Sequence, residues 1–493
     1  MKAITFRNVK AITFRNYRKA QLLALLTALV FLASCSVGEQ MAEAQAKSAS
    51  ASFPDYPVKV SANRRYLVDQ KNIPFLIAGD SPQGLIYRLT EAQAESYFAD
   101  RQTNGFNTAG WIDVLCAGRD YPSNIYGATV EGIRPFTGFV LGGTDWTHYD
   151  LGKPNEAYFT RLDHIVEMAA KHGILVFLDP IETAGWLPTL RNNGPVAAYN
   201  YGRFLGQRYR KFPNIAWVNG NDFSGWRNAS ADALVRAVAK GIKSADPGHI
   251  QAVEFNPPTG SSLDDPTWSS IISINGAYVY GPTYIQMLHN YNQKPIMPTF
   301  LMEAHYDLED VGGPSDFGTP AVLRREEYWA MLSGGKGQFY GNRYTWSFAD
   351  GWQKHLDTPG VAQFKIWRNF FDSIPWQGLV PDQAHSVVTA GVGTFGDIAT
   401  THVSKSDYCT ASKTPDGALV VAYIPTVRTI TVNMGTLRSA AMAKWFDPTN
   451  GAYTSVSGGP FANNGSRQFT PPGKNHDSDT DWVLLLDTSD SNP

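Results

Sequence analysis

Charge is scarce in this chain of 493 residues. Asp, Glu, Lys and Arg make up 17% of it, against roughly a quarter in an average soluble protein. The 42 basic and 44 acidic residues leave a net charge of −2. The chain therefore has neither the basic field that nucleic acid requires nor an acidic tail. Cysteine is rarer still, with three residues. Cys116 and Cys409 stand far apart, which does not favour a disulfide, and no Cys/His cluster has zinc-ligand spacing. No EF-hand spacing is present either, so neither a metal nor another cofactor is expected. The apolar run Leu22–Leu32 has 11 residues, short of the ~20 that span a bilayer as a helix. What is abundant is apolar and aromatic. Hydrophobic residues reach 43% and aromatic residues 13%, enough to bury a large core over two or three domains and to exclude wholesale disorder. Low charge with many rings suits contact with neutral, hydroxyl-rich ligands, although a Trp-rich core would leave the same composition.

The first 35 residues read as an address rather than as fold. Lys2, Arg7, Lys10, Arg15, Arg18 and Lys19 precede the apolar run, which ends in Leu32-Ala33-Ser34-Cys35. These four residues resemble a bacterial lipobox, which implies cleavage before Cys35 and lipidation of its thiol. Cleavage after Ala42-Glu43-Ala44 or Ala44-Gln45-Ala46 would instead secrete the chain. Either way the protein is expected to be exported. With lipidation it is anchored by that lipid alone, at the periplasmic face or the cell surface. The heptapeptide KAITFRN occurs at 2–8 and again at 10–16, which lengthens the basic region. Residues 36–57 are rich in Ala, Ser, Gln and Glu and read as a flexible tether.

From residue 58 to 378 short apolar runs alternate with helical patterns. The runs are Phe75–Ala78, Phe106–Trp111, Ile174–Leu178, Ile215–Val218, Ile250–Phe255, Ile271–Tyr280, Thr299–Met302 and Gln338–Tyr340. Runs this short suit strands covered on both faces. Thr90-Glu91-Ala92-Gln93 opens one helix with capping-box spacing. Leu162, Ile165, Val166 and Ala169 recur at helical spacing ahead of Gly173, and Arg324–Ser333 supplies another helix. Eight strand–helix alternations predict an α/β fold, a (β/α)8 TIM barrel. A doubly wound sheet would carry a glycine-rich phosphate loop after its first strand, and Gly79–Gly84 is not one. Beyond 378 the texture becomes short β runs between turns such as Pro415-Asp416-Gly417, which predicts a small β-sandwich over 379–493.

Barrel chemistry sits where strands end at their C-termini, so the residues just after each run are the candidates. They are Asp80; Trp111 and Asp113; Asp179 and Glu182; Asn219, Asn221 and Asp222; Glu254 and Asn256; Glu303, His305, Tyr306 and Asp307; Asn342, Arg343 and Trp346. No Ser-His nucleophile motif accompanies them. Glycoside hydrolysis needs two carboxyl groups flanking one bond. Strands four and seven stand three places apart in a ring of eight, so Asp222 and Glu303 can face each other across the mouth. Asp222 could also be a helix cap. A carboxylate straight after Thr-Phe-Leu-Met, as Glu303 is, would be buried unless it served something.

Several separated motifs, in order, then resemble one family. Phe75–Ser81 with Arg101 and Gly105-Phe106-Asn107, Val218–Asp222, Phe300–Glu303, Arg325 with Tyr328-Trp329-Ala330, and Ser333–Asn342 resemble the apiosidase-like glycoside hydrolases. The tail from about 390 is similar to a module often joined to them and named for collagen binding. The resemblance implies a barrel, retaining hydrolysis, an acid/base at Asp222 and a nucleophile at Glu303. It departs at Asp80-Ser81-Pro82, where family members carry Thr and Trp. The family is named for release of apiose from a pectic side chain, so the expected partner is a complex polysaccharide or oligosaccharide. Asp80, Trp111, Asp179, Asn221, His305, Tyr306, Asn342 and Trp346 are the expected sugar-binding residues, with Trp186 and Trp226 as further stacking walls and Asp307 as another hydroxyl ligand. A retaining pair should lie about 5–5.5 Å apart. The alternatives are a surface glycan-binding lipoprotein without catalysis and a barrel metallohydrolase.

Overall fold

The computed structural model describes residues 53–116, 127–256, 260–310 and 316–489. Cys35, the signal segment and most of the tether fall outside the described residues.

All eight apolar runs become strands of one barrel sheet. They are β1 (Ile77–Asp80), β2 (Thr108–Asp113), β3 (Leu175–Asp179), β4 (Ile215–Phe223), β5 (Gln251–Phe255), β6 (Asn275–Tyr278), β7 (Thr299–Glu303) and β8 (Gly337–Tyr340). Parallel pairing runs in the order β5-β4-β3-β2-β1-β8-β7-β6. The seam between β5 and β6 is bridged rather than laddered. Gly260–Ser261 pairs antiparallel with β6, and Ser273 N donates to Gln251 O at 2.8 Å. The barrel is therefore nearly closed, with inward side chains such as Phe177, Val218, Phe300 and Phe339 filling it. A small antiparallel sheet, Lys59–Val60, Leu67–Val68 and Pro74–Phe75, puts Val58, Leu67 and Phe75 into the same cluster. That sheet precedes β1 and plugs the N-terminal end, which leaves the C-terminal end as the mouth.

Helices α1 (Glu91–Thr103), α2 (Glu156–Lys171), α3 (Thr183–Tyr209), α4 (Ala229–Ala245), α5 (Thr283–Asn292), α6 (Pro320–Leu332) and α7 (Pro359–Asp372) cover the barrel. Thr90 and Gln93 form the expected capping box, and α2 buries Leu162, Ile165, Val166 and Ala169. The expectation of a helix after every strand fails once. The described part of the β5–β6 connection holds only a short turn, Pro266–Trp268. Trp268 is fully buried there, and its Nε1 donates to Asp232 of α4 at 2.8 Å, so one large ring fills part of the missing helix's place.

The second domain has two antiparallel sheets. Strands β9 (Val380–Pro381), β10 (Val388–Ala390), β11 (Thr410–Lys413), β12 (Leu419–Ile424), β13 (Ile430–Asn433), β14 (Met442–Phe446), β15 (Tyr453–Ser455), β16 (Ser466–Phe469) and β17 (Trp482–Asp487) order as β9-β11-β12-β17-β14-β15 and β10-β13-β16. Val420, Ala422 and Leu484 from the larger sheet meet Val388, Ile430, Val432 and Phe469 from the smaller one in a common core. The domain is docked on α6. Arg324, 1% exposed, donates to both Asp481 oxygens at 2.8 Å and to Asp479 and Gln363. Arg325 reaches the carbonyls of Val403, Ser404, Ser406 and Pro425. Tyr328 stacks on Tyr423 at 5.1 Å, and Trp329 Nε1 donates to Tyr408 O.

Candidate active site

Three of the strands that end at the mouth break their regular register there. In β4, four steps from Asn219 to Phe223 match two steps in β5. The excess is taken up at Gly220, Asn221 and Asp222, whose φ angles are 113°, 24° and 54°. Left-handed backbone is costly for the last two, and such strain persists only where the surroundings hold it. A Cβ on Gly220 would lie 2.8 Å from Glu254 O, so the turn needs glycine. β7 carries one extra residue opposite β6, which pairs Glu303 with Tyr278, and β2 carries one between Ala109 and Ile112. Bulges of this kind re-aim side chains.

The re-aimed groups converge. Asp222, part-exposed, has its Oδ1 3.0 Å from the Tyr278 hydroxyl and 3.3 Å from Asn256 Nδ2. The Tyr278 and Tyr280 hydroxyls are 3.0 Å apart, and Tyr280 donates to Glu303 Oε1 at 2.8 Å. Three such links cannot reach beyond the ~9.5 Å upper bound for catalytic carboxyl pairs. Beneath them lies Glu254, with no exposed surface. Its Oε2 accepts the Asp222 amide at 2.9 Å, and its carboxyl group lies against that of Glu303. Burial first, and then neighbouring negative charge, lift the Glu254–Glu303 pair above the ordinary carboxylate range.

His305 and Tyr306 follow Glu303 in the chain. His305 Nδ1 lies 2.5 Å from Glu326 of α6, and its ring meets Tyr280 edge-on at 5.5 Å. Burial opposes a charge on the imidazole, but Glu326 outweighs it and raises His305 above its usual value. The Tyr306 hydroxyl accepts from Gln83 Nε2 at 3.0 Å, and its ring lies against Gly341, where a Cβ would come within 2.2 Å of it. Asn342 is 1% exposed and its Oδ1 accepts Tyr344 N. Asn221 is tied to Asp113 at 3.3 Å.

Several expected sugar ligands are otherwise engaged. Asp80 is 1% exposed and accepts from Arg101 and Tyr97 of α1, at 3.1 and 2.7 Å, and from Ser81 N, so it anchors α1. Asp307 accepts from Tyr340 and Thr358, at 2.7 and 2.6 Å, and secures the start of α7. Trp111 and Trp186 have no exposed surface; Trp111 packs edge-on against Phe339, inside the barrel, and Trp186 donates to Cys116 O. Neither can stack on a sugar. Trp226 and Trp346 do keep exposed surface, and Trp226 lies flat on Phe255 at 4.6 Å. Asp179 is wholly buried and belongs to a second acidic group with Asp113 and Glu182, which burial and mutual repulsion push above the ordinary carboxylate range at Asp113 and Asp179. Asp113, Cys116 and Glu182 bring ligand-type atoms within 4.8 Å of one another. Tyr278, Tyr280 and the contacts of Glu254 were not anticipated. Their signal was spacing: Tyr278 and Tyr280 are two apart, and Glu254 alternates with Ala252, whose side chain faces the barrel interior.

A nearly closed β/α barrel with paired carboxyl groups at its mouth defines a glycoside hydrolase. Comparison with known proteins agrees. Residues 61–378 match the family described as "Apiosidase-like, catalytic domain", and the chain belongs to that family. Residues 396–487 match a module described as "Putative collagen-binding domain of a collagenase". A solved glycoside hydrolase superposes with a TM-score of 0.73 at 22% identity, covering 90% of this chain and 99% of its own. A family 5 glycoside hydrolase from Bacteroides vulgatus does so with a TM-score of 0.72 at 21% identity, covering 88% and 94%. These likenesses are likenesses of fold. No curated protein matches the chain.

Proposed function

We propose that this glycoside hydrolase is exported, lipid-anchored at Cys35 and retaining, that it acts on side chains of a plant-type complex polysaccharide, and that Asp222 is its acid/base and Glu303 its nucleophile. The observation that carries this reading is the run of hydroxyls from Asp222 through Tyr278 and Tyr280 to Glu303. Tyr278 donates to Asp222 and Tyr280 donates to Glu303, so each carboxyl group has its own hydroxyl and the two hydroxyls meet between them. Glu303, 6% exposed, is the more enclosed of the two, as a nucleophile beneath the anomeric carbon should be, and Asp222 keeps exposed surface from which it can reach the leaving oxygen.

In the first step Glu303 attacks the anomeric carbon and the bond to the leaving oxygen breaks. The departing electron pair takes the Asp222 proton. Negative charge has then moved from Glu303 to Asp222. The Tyr280 hydroxyl can turn from Glu303 to Tyr278, which already donates to Asp222, so the hydrogen bonds follow the charge without any movement of heavy atoms. In the second step Asp222 takes a proton from water, the water oxygen bonds the anomeric carbon and Glu303 departs. The packing of Asp222, Glu254 and Glu303 around a shared carboxyl supports direct attack by Glu303 over attack by a water held between two distant groups. Trp226 and Trp346, which keep exposed surface, suit ring faces for the sugar. Export and anchoring rest on Leu32-Ala33-Ser34-Cys35.

The test is incubation with plant and algal polysaccharides, pectic side chains included, with released sugars identified and their first-formed anomer followed by proton NMR. Retention is expected, and both Glu303→Gln and Asp222→Asn should abolish release. First-formed product of inverted configuration overturns the retaining mechanism. The same product from Glu303→Gln removes Glu303 as nucleophile. Binding without release across the panel would return the protein to the glycan-binding class.

A further inference from the structure

The catalytic pair accounts for two of the three carboxyl groups that meet at the mouth. Glu254 is the third, and nothing in the two-step cycle uses it. Its position is unusual in three respects. It has no exposed surface. Its Oε2 takes the amide of Asp222, the residue whose φ of 54° most needs holding. Its Oε1 is buried and accepts no hydrogen bond, and its carboxyl group lies against that of Glu303.

Two neighbouring carboxyl groups in a buried site share a proton, because both cannot ionise there. Which one holds it follows from their donors. Glu303 accepts the Tyr280 hydroxyl at 2.8 Å, and Tyr278 supports it as well. Glu254 has one donor, the Asp222 amide. The groups facing Glu254 are Asp222 from β4, Glu303 from β7, Tyr278 and Tyr280 from the end of β6, and Tyr306 beyond β7. The tyrosines are neutral, so the charges among them are carboxylates, and all favour a neutral Glu254.

We propose that Glu254 is a positioning residue that stays a neutral carboxylic acid through turnover, accepting the Asp222 amide at one oxygen and donating its proton to Glu303. One buried acid thereby holds the strained turn that presents the acid/base and keeps the nucleophile ionised. The inference rests on the assignment of Asp222 and Glu303 as the catalytic pair.

A neutral acid and an amide have the same shape and the same donor–acceptor sense, which gives a sharp test. Glu254→Gln can accept the Asp222 amide through its oxygen and donate to Glu303 through its nitrogen. On pectic polysaccharide it should keep kcat within about fivefold of the wild type and leave the acidic limb of the kcat/KM profile in place. Glu254→Leu, equally large but unable to donate or accept, should lose 100-fold or more in kcat and shift that limb to higher pH. If Glu254→Leu does not fold, Glu254→Gln decides alone. An infrared difference spectrum at neutral pH supplies a readout independent of substrate: the wild type should show a protonated-carboxyl stretch that Glu254→Gln lacks. Inactive but folded Glu254→Gln, an acidic limb moved to lower pH, or absence of that stretch overturns the proposal. Should Glu303→Gln keep activity, the catalytic pair itself is wrong. Should Glu303→Gln be dead while Glu254→Gln also fails, only the role of Glu254 is wrong.

Discussion

Replacing Tyr280 by phenylalanine removes one oxygen from the middle of the hydroxyl chain and little else. The ring still meets His305 and Tyr278, at 5.5 and 5.3 Å, so the fold should hold. What is lost is the 2.8 Å bond to Glu303 Oε1 and the 3.0 Å link to Tyr278. A hydrogen bond to a charged group contributes about 1.5–3 kcal/mol. Because one pKa unit corresponds to about 1.4 kcal/mol, removing the donor should raise the Glu303 pKa by roughly 1–2 units. The sign follows from the role. Glu303 must be ionised to attack, so activity falls as pH drops through its pKa. A raised pKa therefore moves the acidic limb of kcat/KM to higher pH by about 1–2 units, with a loss of roughly 10- to 100-fold below that limb. The assay is a pH profile of kcat/KM on the best polysaccharide for wild type and variant, beside a thermal melt. Tyr278→Phe, one link further from Glu303, should move the limb less. A folded Tyr280→Phe enzyme whose acidic limb stays put, or moves to lower pH, refutes the relay.

Arg324→Met strands Asp481, which is 2% exposed, and breaking a buried pair from one side costs about 3–5 kcal/mol. If the barrel and second domain melt as one body, unfolding entropy per residue makes this a fall in Tm of about 3–6 °C; if the second domain melts alone, the fall exceeds ~10 °C. Burial opposes the Asp481 charge but Arg324 more than compensates, holding its carboxyl below the usual range, and that stabilisation is present at neutral pH and lost as pH falls through the depressed pKa. In Arg324→Met burial acts on Asp481 without that compensation and pushes its carboxyl up, so acid relieves the stranded charge; the deficit should be larger at pH 7 than at pH 4, and an equal deficit at both would remove the ion pair as its cause. Gly220→Ala places a methyl 2.8 Å from Glu254 O at a φ of 113°; calorimetry should show a loss of about 1–3 kcal/mol and kinetics a proportionally larger loss of kcat. Cys35→Ser should abolish incorporation of labelled palmitate and release the protein from membranes, whereas continued labelling would refute lipidation at Cys35.

Much of the barrel was legible because its strands are short, apolar and covered on both faces, and that pattern survives any detail of the turns. The second domain was less so. Its core strands β12, β14 and β17 read clearly, but β15 and β16 carry mostly exposed, polar residues such as Tyr453-Thr454-Ser455 and Ser466-Arg467-Gln468. Their strand state comes from pairing with β14 and β13, a tertiary influence that composition does not carry. The helix expected after β5 failed for a related reason. Nothing local to the apolar runs on either side says that Trp268 occupies part of that layer. Among candidate ligands, Asp80 misled because a carboxylate at a strand tip looks the same whether it awaits a sugar or a buried arginine. Only the partner, Arg101 on the helix that follows, tells the two apart.

Alternation also treats Glu254 and Glu303 differently. Along β5, Ile250 and Ala252 face the barrel interior, and Glu254 continues that face by simple period two. Its inward direction was therefore available from sequence, and a carboxyl group pointing into a barrel should have counted as strongly as one beyond its end. Along β7 the same rule gives the wrong answer. Phe300 and Met302 face inward, so strict alternation turns Glu303 outward, toward the helices. The extra residue in β7 reverses that direction and sets Glu303 opposite Tyr278. β4 does the same for Asp222 with two extra residues and a left-handed turn. Asp222 and Glu303 thus reach the mouth only because their strands break the pattern by which the rest of the barrel is recognised. The unbroken strand between β4 and β6 supplies, in Glu254, the fixed group against which both irregular ends are set.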